Sequence, residues 1–240
     1  MVGFAVLAIV LTLNRLGSAG GGPGGAGGAV VAAQLAASNG FATLMGVSAT
    51  FIGVIALAVC AVAVGMEYAN GTLRNLLVRQ PRRPRLLAGK LLALGSFLAL
   101  AVALAYGAAL AAALLLAPGY GISTAAWFTG EGVQSLLATA GNLLLATLAW
   151  GAIGVGLATV LRSTAVAITG GLAYALVVEN LLSAAWSGGA QWLPGQLIDA
   201  IARGGTAAVS YGSALGLVGL YLLVAGAIVA LLFQRRDVAA

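Results

Sequence analysis

Residues 91–117 read LLALGSFLALAVALAYGAALAAALLLA, a run of 27 residues without a charged side chain. A helix needs about 20 apolar residues to cross the hydrocarbon core of a bilayer, so this stretch is long enough for a full span. Two further charge-free runs, residues 41–65 and 134–161, meet the same requirement. The pattern predicts an all-α integral membrane protein that crosses the bilayer several times.

The composition of the whole chain excludes two other classes of protein. Hydrophobic residues make up 62% of the 240 residues and charged residues only 7%, whereas a soluble domain carries roughly a quarter charged residues. Eleven Lys and Arg with five Asp and Glu are too few to cover a soluble surface. A disordered chain is excluded as well, because such chains are polar and poor in apolar residues.

Residue types that many enzymes need are missing from the sequence. The chain has no histidine, which excludes Ser-His and Cys-His catalysis and histidine metal sites, and its single Cys60 can form no disulfide within the chain. No G-x-x-x-x-G-K-S/T loop for phosphate occurs, and the G-x-G-x-x-G match at Gly20, Gly22 and Gly25 follows no strand, so it indicates a flexible external loop. We expect no catalytic residue, no metal site and no enzymatic activity of the chain by itself.

The apolar runs divide residues 1–240 into a single transmembrane domain, a six-helix bundle. The spans are predicted roughly at residues 1–16, 41–66, 90–117, 134–161, 164–186 and 211–233. The connections are a polar cytoplasmic loop at residues 67–90 and external loops at residues 17–40, 118–133 and 187–210.

The first of these spans is shorter than the others. At about 1.5 Å per residue, its apolar part falls short of a hydrocarbon core about 30 Å thick. We expect a short first span or one truncated upstream. A cleaved signal peptide is the alternative, because Ser18, Ala19 and Gly20 form a small-residue stretch after it. A signal peptide begins with a basic region, however, and no Lys or Arg precedes Val2.

The basic residues divide unequally between the two sides of this topology. Two, Arg15 and Arg203, lie on the outer side, and nine lie on the side of the polar loop: Arg74, Arg79, Arg82, Arg83, Arg85, Lys90, Arg162, Arg235 and Arg236. Because Lys and Arg are enriched in cytoplasmic loops, the bias predicts a multi-pass protein of the inner (plasma) membrane with both termini cytoplasmic. It also accounts for most of the net charge of +6, so the expected partner is the lipid bilayer and not nucleic acid.

Aromatic and small residues add detail to the predicted spans. Four aromatic side chains, Trp127, Phe128, Trp186 and Trp192, fall at or beyond outer span ends, where such rings prefer the headgroup region. Glycines at the spacing of close helix packing occur in two spans: Gly151, Gly154 and Gly156 in one, and Gly212 and Gly216 in the other.

The polar loop at residues 67–90 carries the pattern of an amphipathic helix that Thr72 can cap. The apolar face, at spacings of i, i+3 and i+4, consists of Leu73, Leu76 and Leu77. The polar side includes Arg74 and Arg79, and two prolines follow and end the helix. Such a helix suits either lipid headgroups or an apolar groove on a soluble partner.

This loop resembles that of a known family. The elements Glu67, Gly71-Thr72-Leu73-Arg74, Arg82-Arg83-x-Arg85 and Lys90 are similar to the loop after the second span of type-2 ATP-binding-cassette (ABC) permeases. In that family the loop is the coupling helix, which docks on a separate ATPase subunit. Residues 192–199, WLPGQLID, resemble the short external helical segment before the family's last span.

The resemblance implies a fold, a function and a set of partners. The fold is a six-transmembrane-helix bundle with a cytoplasmic coupling helix between spans two and three. The function is that of the permease subunit of an ABC exporter, completed by two copies of an ABC ATPase subunit and by a second permease copy or paralogue. The chain would bind no cofactor, since the partner ATPase would use ATP and Mg. The residues implied in coupling are Glu67, Gly71, Thr72, Leu73, Arg74, Leu76, Leu77 and Arg79.

Two polar residues inside predicted spans are candidates for the translocation path. Glu179 is the one acid within a span, and intramembrane carboxyl groups usually face a cavity or a partner. It either contacts a substrate or ion, or lies near the outer interface and is satisfied by Asn180, water or a neighbouring helix. Asn142 in the fourth span is the second candidate, with an interhelical hydrogen bond as its alternative role.

Two other functions are consistent with the sequence. An ATP-independent secondary transporter would use Glu179 to carry the coupling proton, although one acid and a few asparagines are few polar groups for that task. A non-transporting membrane subunit would only anchor a complex. Co-purification of an ATPase distinguishes the ABC permease from both.

Overall fold

The computed structural model describes residues 1–18, 26–71, 83–186 and 188–235. The helices are α1 Val2–Ser18, α2 Ala26–Ala36, α3 Gly40–Ala69, α4 Arg83–Leu116, α5 Gly130–Leu161, α6 Thr164–Ala173, α7 Glu179–Ala185, α8 Pro194–Arg203 and α9 Tyr211–Arg235. A five-residue π turn, Tyr174–Val178, joins α6 to α7. Short 3-10 turns lie at Ala117–Tyr120, Ala125–Phe128 and Gly189–Gln191. The described part of the chain is therefore all-helical, as predicted.

Within the described residues, five helical segments are long and apolar enough to cross a membrane. They are Ser48–Ala69, Arg85–Tyr120, Gly130–Leu161, Thr164–Ala185 and Tyr211–Leu231. The apolar part of α1, Val2–Asn14, is shorter. Five predicted spans thus coincide with such helices, and the sixth, residues 1–16, stays a prediction.

Helix ends differ from the hydropathy boundaries where local caps decide them. α5 begins at Gly130, four residues before the predicted span, because the Oγ1 of Thr129 accepts a hydrogen bond from the Gly132 N–H at 3.2 Å. Threonine at this position caps a helix start. The negative charge of Glu131 in the first turn interacts favourably with the positive end of the helix dipole. The predicted loop 17–40 likewise contains α2, whose alanines favour a helix despite two glycines.

The chain forms two compact units, and the first consists of Met1–Ile52, Ala99–Leu145 and Ala202–Gly204. Its core is built on Trp127, which is fully buried and donates from Nε1 to the carbonyl of Leu35 at 2.9 Å. Buried Trp side chains usually find a hydrogen-bond partner of the kind that the Leu35 carbonyl provides. The ring of Phe41 lies 5.6 Å from that of Trp127 and, edge to face, 5.2 Å from that of Tyr106. Trp127 is thus a core residue and not an exposed interfacial ring, whereas Trp186 and Trp192 are exposed and their headgroup position stays a prediction.

The second unit consists of Gly53–Leu98, Ala146–Ile201 and Gly205–Ala240. Here α3 and α5 approach closely because glycines leave no side chain between them. A Cβ on Gly154 would collide with the carbonyl oxygen of Leu57, and a Cβ on Gly151 would lie 3.1 Å from Cys60 Sγ, both on α3. The same Cβ on Gly151 would lie 2.7 Å from Leu98 Cδ1 on α4. The predicted close packing is thus found at Gly151 and Gly154, whereas a Cβ on Gly156 would make only an ordinary contact, 3.8 Å from Val229 Cγ2. Gly212 and Gly216, in contrast, have no described neighbour within 4 Å of a Cβ position.

Candidate functional site

An ion pair joins the two spans that flank the predicted coupling helix. Glu67, close to the end of α3, accepts a charged hydrogen bond at Oε2 from Lys90 Nζ, near the start of α4. Glu67 is 27% exposed and Lys90 18% exposed. Ion pairs near the protein surface typically contribute about 0.2–1 kcal/mol to stability. The main effect of this pair is therefore to hold the ends of α3 and α4 near each other. It fixes the distance between the points where the intervening segment leaves α3 and enters α4.

The coupling helix itself lies outside the described residues, which omit residues 72–82. Its assignment therefore stays a prediction, as do the roles given to Thr72, Leu73, Arg74, Leu76, Leu77 and Arg79. Of the predicted coupling residues, the structure places Glu67 and Gly71.

Gly71 has a conformational role at the end of α3. Its backbone is left-handed, with φ of +64°, and its N–H donates to the carbonyl of Tyr68 at 3.3 Å. A left-handed residue just after the last helical turn is a common helix ending, and glycine adopts it without a steric penalty. Any other residue would pay about 1–2 kcal/mol for that conformation. Gly71 therefore follows the end of the span in a conformation that favours glycine.

A third helix contacts the same end of α3. A Cβ on Gly65 would collide with Thr164 Oγ1 and lie 3.0 Å from the Thr164 Cα, so the first turn of α6 packs directly on the α3 backbone. The turn that leads into α6 is tight, since Arg162 has a φ of +52° and Ser163 Oγ accepts from the Val166 N–H at 3.4 Å. Sequence reasoning did not identify this contact. The feature of the sequence that could have indicated close helix packing here is Gly65, two residues before Glu67.

Glu179 is held at the start of α8. Its side chain is 1% exposed, and Oε1 accepts a hydrogen bond from the Gln196 backbone N–H at 2.9 Å. The first N–H groups of a helix have no partner within the helix, and the helix dipole favours an acidic group there. Glu179 therefore caps the start of a helix through the N–H of Gln196, a residue 17 positions further along the chain.

Gly195 makes room for this cap. A Cβ at Gly195 would collide with Glu179 Oε2 and lie 2.8 Å from its Cδ. The preceding Pro194 occupies the first position of α8, where its missing N–H costs nothing. Oε2 is buried and has no hydrogen-bond partner among the described residues. The Pro-Gly start of α8 and the lone acid of the fifth span were both visible in the sequence, but their contact was not.

The other polar candidates lie elsewhere. Asn180 donates from Nδ2 to the carbonyl of Leu176 at 3.1 Å, within its own span, so it does not satisfy Glu179. Asn142 belongs to the first unit, where its Nδ2 would lie 3.4 Å from a Cβ on Gly204. Glu179 and Asn142 thus fall in different units. Their assignment to a translocation path stays a prediction.

The apolar helices and the helical composition define a multi-pass membrane protein. Residues 26–238 match the family described as ABC-2 family transporter protein, and the chain belongs to this family. It is therefore an ABC transporter permease, the membrane subunit of a transporter, and the predicted membership of the type-2 ABC permeases is confirmed. Membership implies, in general terms, a partner ABC ATPase. No curated protein and no solved structure matches the chain.

Proposed function

We propose that the chain is the permease subunit of an ABC exporter and that residues 72–79 form the helix through which a separate ATPase drives it. The observation that carries this proposal is the Glu67–Lys90 ion pair. The pair connects the end of α3 to the start of α4, the two helices that the segment joins. A displacement of the segment therefore moves both helices together.

The contacts of α3 give this displacement a route into the bundle. α6 packs on the end of α3 at Gly65, through the Cα and the short side chain of Thr164, and α5 packs on α3 at Gly154 through backbone atoms alone. Tightly packed backbones transmit small shifts because there is no flexible side chain to absorb them. In the proposed cycle, ATP and Mg bind to the ATPase partner, and the closing of the ATPase moves the segment.

The proposed assembly contains two ATPase copies and two permease chains, the second being a copy or a paralogue. Each permease would contribute six spans, including residues 1–16, in the plasma membrane with both termini cytoplasmic. The nine-to-two distribution of basic residues supports this orientation. It places α8 on the outer side and the Glu67–Lys90 pair on the inner side.

The coupling assignment is tested by replacing Leu73 and Leu77 together with serine. A helix docked in a groove depends on a few buried apolar anchors, each worth about 1–3 kcal/mol. The double variant is expected to lose the ATPase on co-purification in detergent, while its thermal unfolding midpoint stays that of the parent. Val78→Ser is the matched control, because it removes an apolar side chain from the same segment but off the predicted Leu face, and it should keep the ATPase.

Full retention of the ATPase by the double variant would contradict the coupling role. The segment would then be a basic loop that lies on lipid headgroups. Absence of any ATPase from the parent preparation would instead favour a secondary transporter or an anchoring subunit.

The orientation is tested with single cysteines in a Cys60→Ala background. A cysteine in place of Arg83 should be protected from an impermeant thiol reagent in intact cells, and one in place of Gln191 should be labelled. Permeabilised cells, in which both positions should react, are the control. Labelling of position 83 and protection of position 191 in intact cells would invert the topology.

A further inference from the structure

A cavity of about 530 Å³ lies within the second unit. Five helices contribute to its wall, with Leu57 from α3, Trp150 from α5, Gly170 from α6, Ile198 from α8 and Tyr221 from α9. The remaining lining residues are aliphatic side chains, Gly171, Pro194 and Tyr174. None of the lining residues carries a charge. The volume falls in the range of about 300–1,000 Å³ that is typical of small-molecule sites.

Two neighbouring glycines account for the shape of one wall. A Cβ on Gly171 would lie 2.9 Å from Leu57 Cδ2, so this glycine lets α6 pack against α3. A Cβ on Gly170 would have no described atom within 4 Å, so this glycine leaves open space. The helix is thus closely packed at Gly171 and has unfilled space beside Gly170. Gly170 lines the cavity, and a side chain there would require no shift of the backbone.

The lining sets the chemistry of an occupant. Water is a poor filling for an apolar cavity, because each buried water needs about two to four polar partners. An empty cavity would forfeit the dispersion contacts of its walls. An uncharged chain of methylene groups satisfies both constraints, and a membrane protein is surrounded by such chains.

One hydroxyl in the wall is available for a polar group. The Tyr221 hydroxyl already donates to the carbonyl of Trp192 at 3.1 Å. The Tyr174 hydroxyl makes no hydrogen bond to any residue in the described part of the chain. Tyr174 also begins the π turn, and π turns inside helices are frequent at functional sites. A tyrosine at such a position offers both a donor and an acceptor to a ligand.

The Glu179 cap also determines one side of this cavity. Pro194 and Ile198 belong to the first turns of α8 and line the space, and Glu179 holds the Gln196 N–H between them. The carboxyl group does not line the cavity itself. It fixes the helix that does.

We propose that this cavity binds one uncharged alkyl chain, whose polar end contacts the Tyr174 hydroxyl. The proposal names lipophilic molecules as the class that the permease binds. It rests on the exporter assignment where the bound molecule is taken to be one that is transported. The chain has two sources: the tail of a membrane phospholipid, or a free lipophilic molecule such as a long-chain alcohol.

The test uses the full-length chain, purified and reconstituted in phosphatidylcholine nanodiscs. Two photoreactive probes are compared, a phosphatidylcholine with a diazirine in its tail and a long-chain alcohol with a diazirine. After irradiation, mass spectrometry locates the labelled residues. We expect labelling of cavity residues such as Ile198, which is 1% exposed, at least as strong as that of Leu223 on the outside of α9, which is 73% exposed.

Filling the cavity provides the matched comparison. Gly170→Leu should reduce labelling of Ile198 by about tenfold and leave labelling of Leu223 unchanged. Gly216→Leu is the control, because Gly216 is also an exposed helical glycine without a neighbour within 4 Å but does not line the cavity. Ala225→Phe narrows the cavity from α9 and serves as an independent second variant.

The probes identify the source of the chain. Labelling of Ile198 by the phospholipid alone indicates a structural lipid, and labelling by the alcohol with competition from unlabelled alcohol indicates a transported molecule. Tyr174→Phe should weaken labelling by the alcohol. The proposal is overturned if neither probe labels Ile198, or if Gly170→Leu and Ala225→Phe both leave that labelling unchanged. Neither result depends on the ATPase, so failure here is distinct from failure of the coupling experiment.

Discussion

Gly154→Ala is expected to destabilise the purified chain by about 2–3 kcal/mol, a typical cost of overpacking a closely packed contact. The added Cβ would collide with the carbonyl oxygen of Leu57 and lie 3.0 Å from the Leu57 Cα. These are backbone atoms, which cannot move aside by a change of rotamer, so α3 and α5 must separate. Alanine gains at most about 1 kcal/mol of helix propensity over glycine, and the steric cost therefore decides the sign. The midpoint of thermal unfolding in detergent, followed by tryptophan fluorescence, measures the change.

Gly156→Ala is the matched control for this substitution. Its Cβ would lie 3.8 Å from Val229 Cγ2, an ordinary van der Waals distance. Its stability should stay within about 0.5 kcal/mol of the parent or rise slightly. If Gly154→Ala and Gly156→Ala unfold at the same temperature, α3 and α5 do not make the close contact described above.

Gly195→Ala is expected to cost about 2–3 kcal/mol, because its Cβ displaces the buried Glu179 carboxyl group from the start of α8. Glu179→Ala should cost a similar amount, since the Gln196 N–H then loses its acceptor. The two losses share one cause. The double variant should therefore be no less stable than Glu179→Ala alone, which corresponds to a coupling energy of about 2 kcal/mol between the two positions.

Two further variants separate this contact from a general loss of packing. Glu179→Gln keeps a carbonyl oxygen for the Gln196 N–H and should lose only about 1 kcal/mol. Gly188→Ala adds a methyl group in the same predicted external segment, 3.9 Å from Trp186 Nε1, and should leave the stability unchanged. Strict additivity of Gly195→Ala and Glu179→Ala would show that the carboxyl group does not occupy the position described.

The sequence predicts those parts of the fold that depend on apolar length. The runs at residues 91–117 and 134–161 are largely apolar over more than 20 residues, and an α-helix is the structure in which one such segment satisfies its own backbone hydrogen bonds in a bilayer. Helix starts are less predictable, because a side-chain cap such as Thr129 contributes little to hydropathy. The same limit applies to α2, where alanine content outweighs an apparently loop-like glycine pattern.

Contacts between distant parts of the chain could not be predicted from one sequence. Glu179 has several polar candidates nearby in sequence, yet its acceptor role is directed to Gln196, on another helix. Trp127 follows a predicted span end, as an interfacial ring would, but the carbonyl of Leu35 gives its indole a buried partner. The coupling residues present the opposite case. Their pattern is recognisable in the sequence, and the structure places only Glu67 and Gly71 among them.

The π turn has a consequence for insertions and deletions in this span. The Glu179 N–H bonds to the Tyr174 carbonyl five residues earlier, so the turn holds one residue more than an α-helical turn would. Deleting one residue from Tyr174–Val178 would restore α-helical spacing at the turn, because five residues of a π turn cover nearly the same rotation as four residues of an α-helix. Glu179 would therefore still face α8. Deleting one residue from the α-helix beyond the turn has no such compensation and would rotate the residues after it by about 100° around the axis. In this span the place of a deletion, and not only its length, determines which side chains reach the next helix.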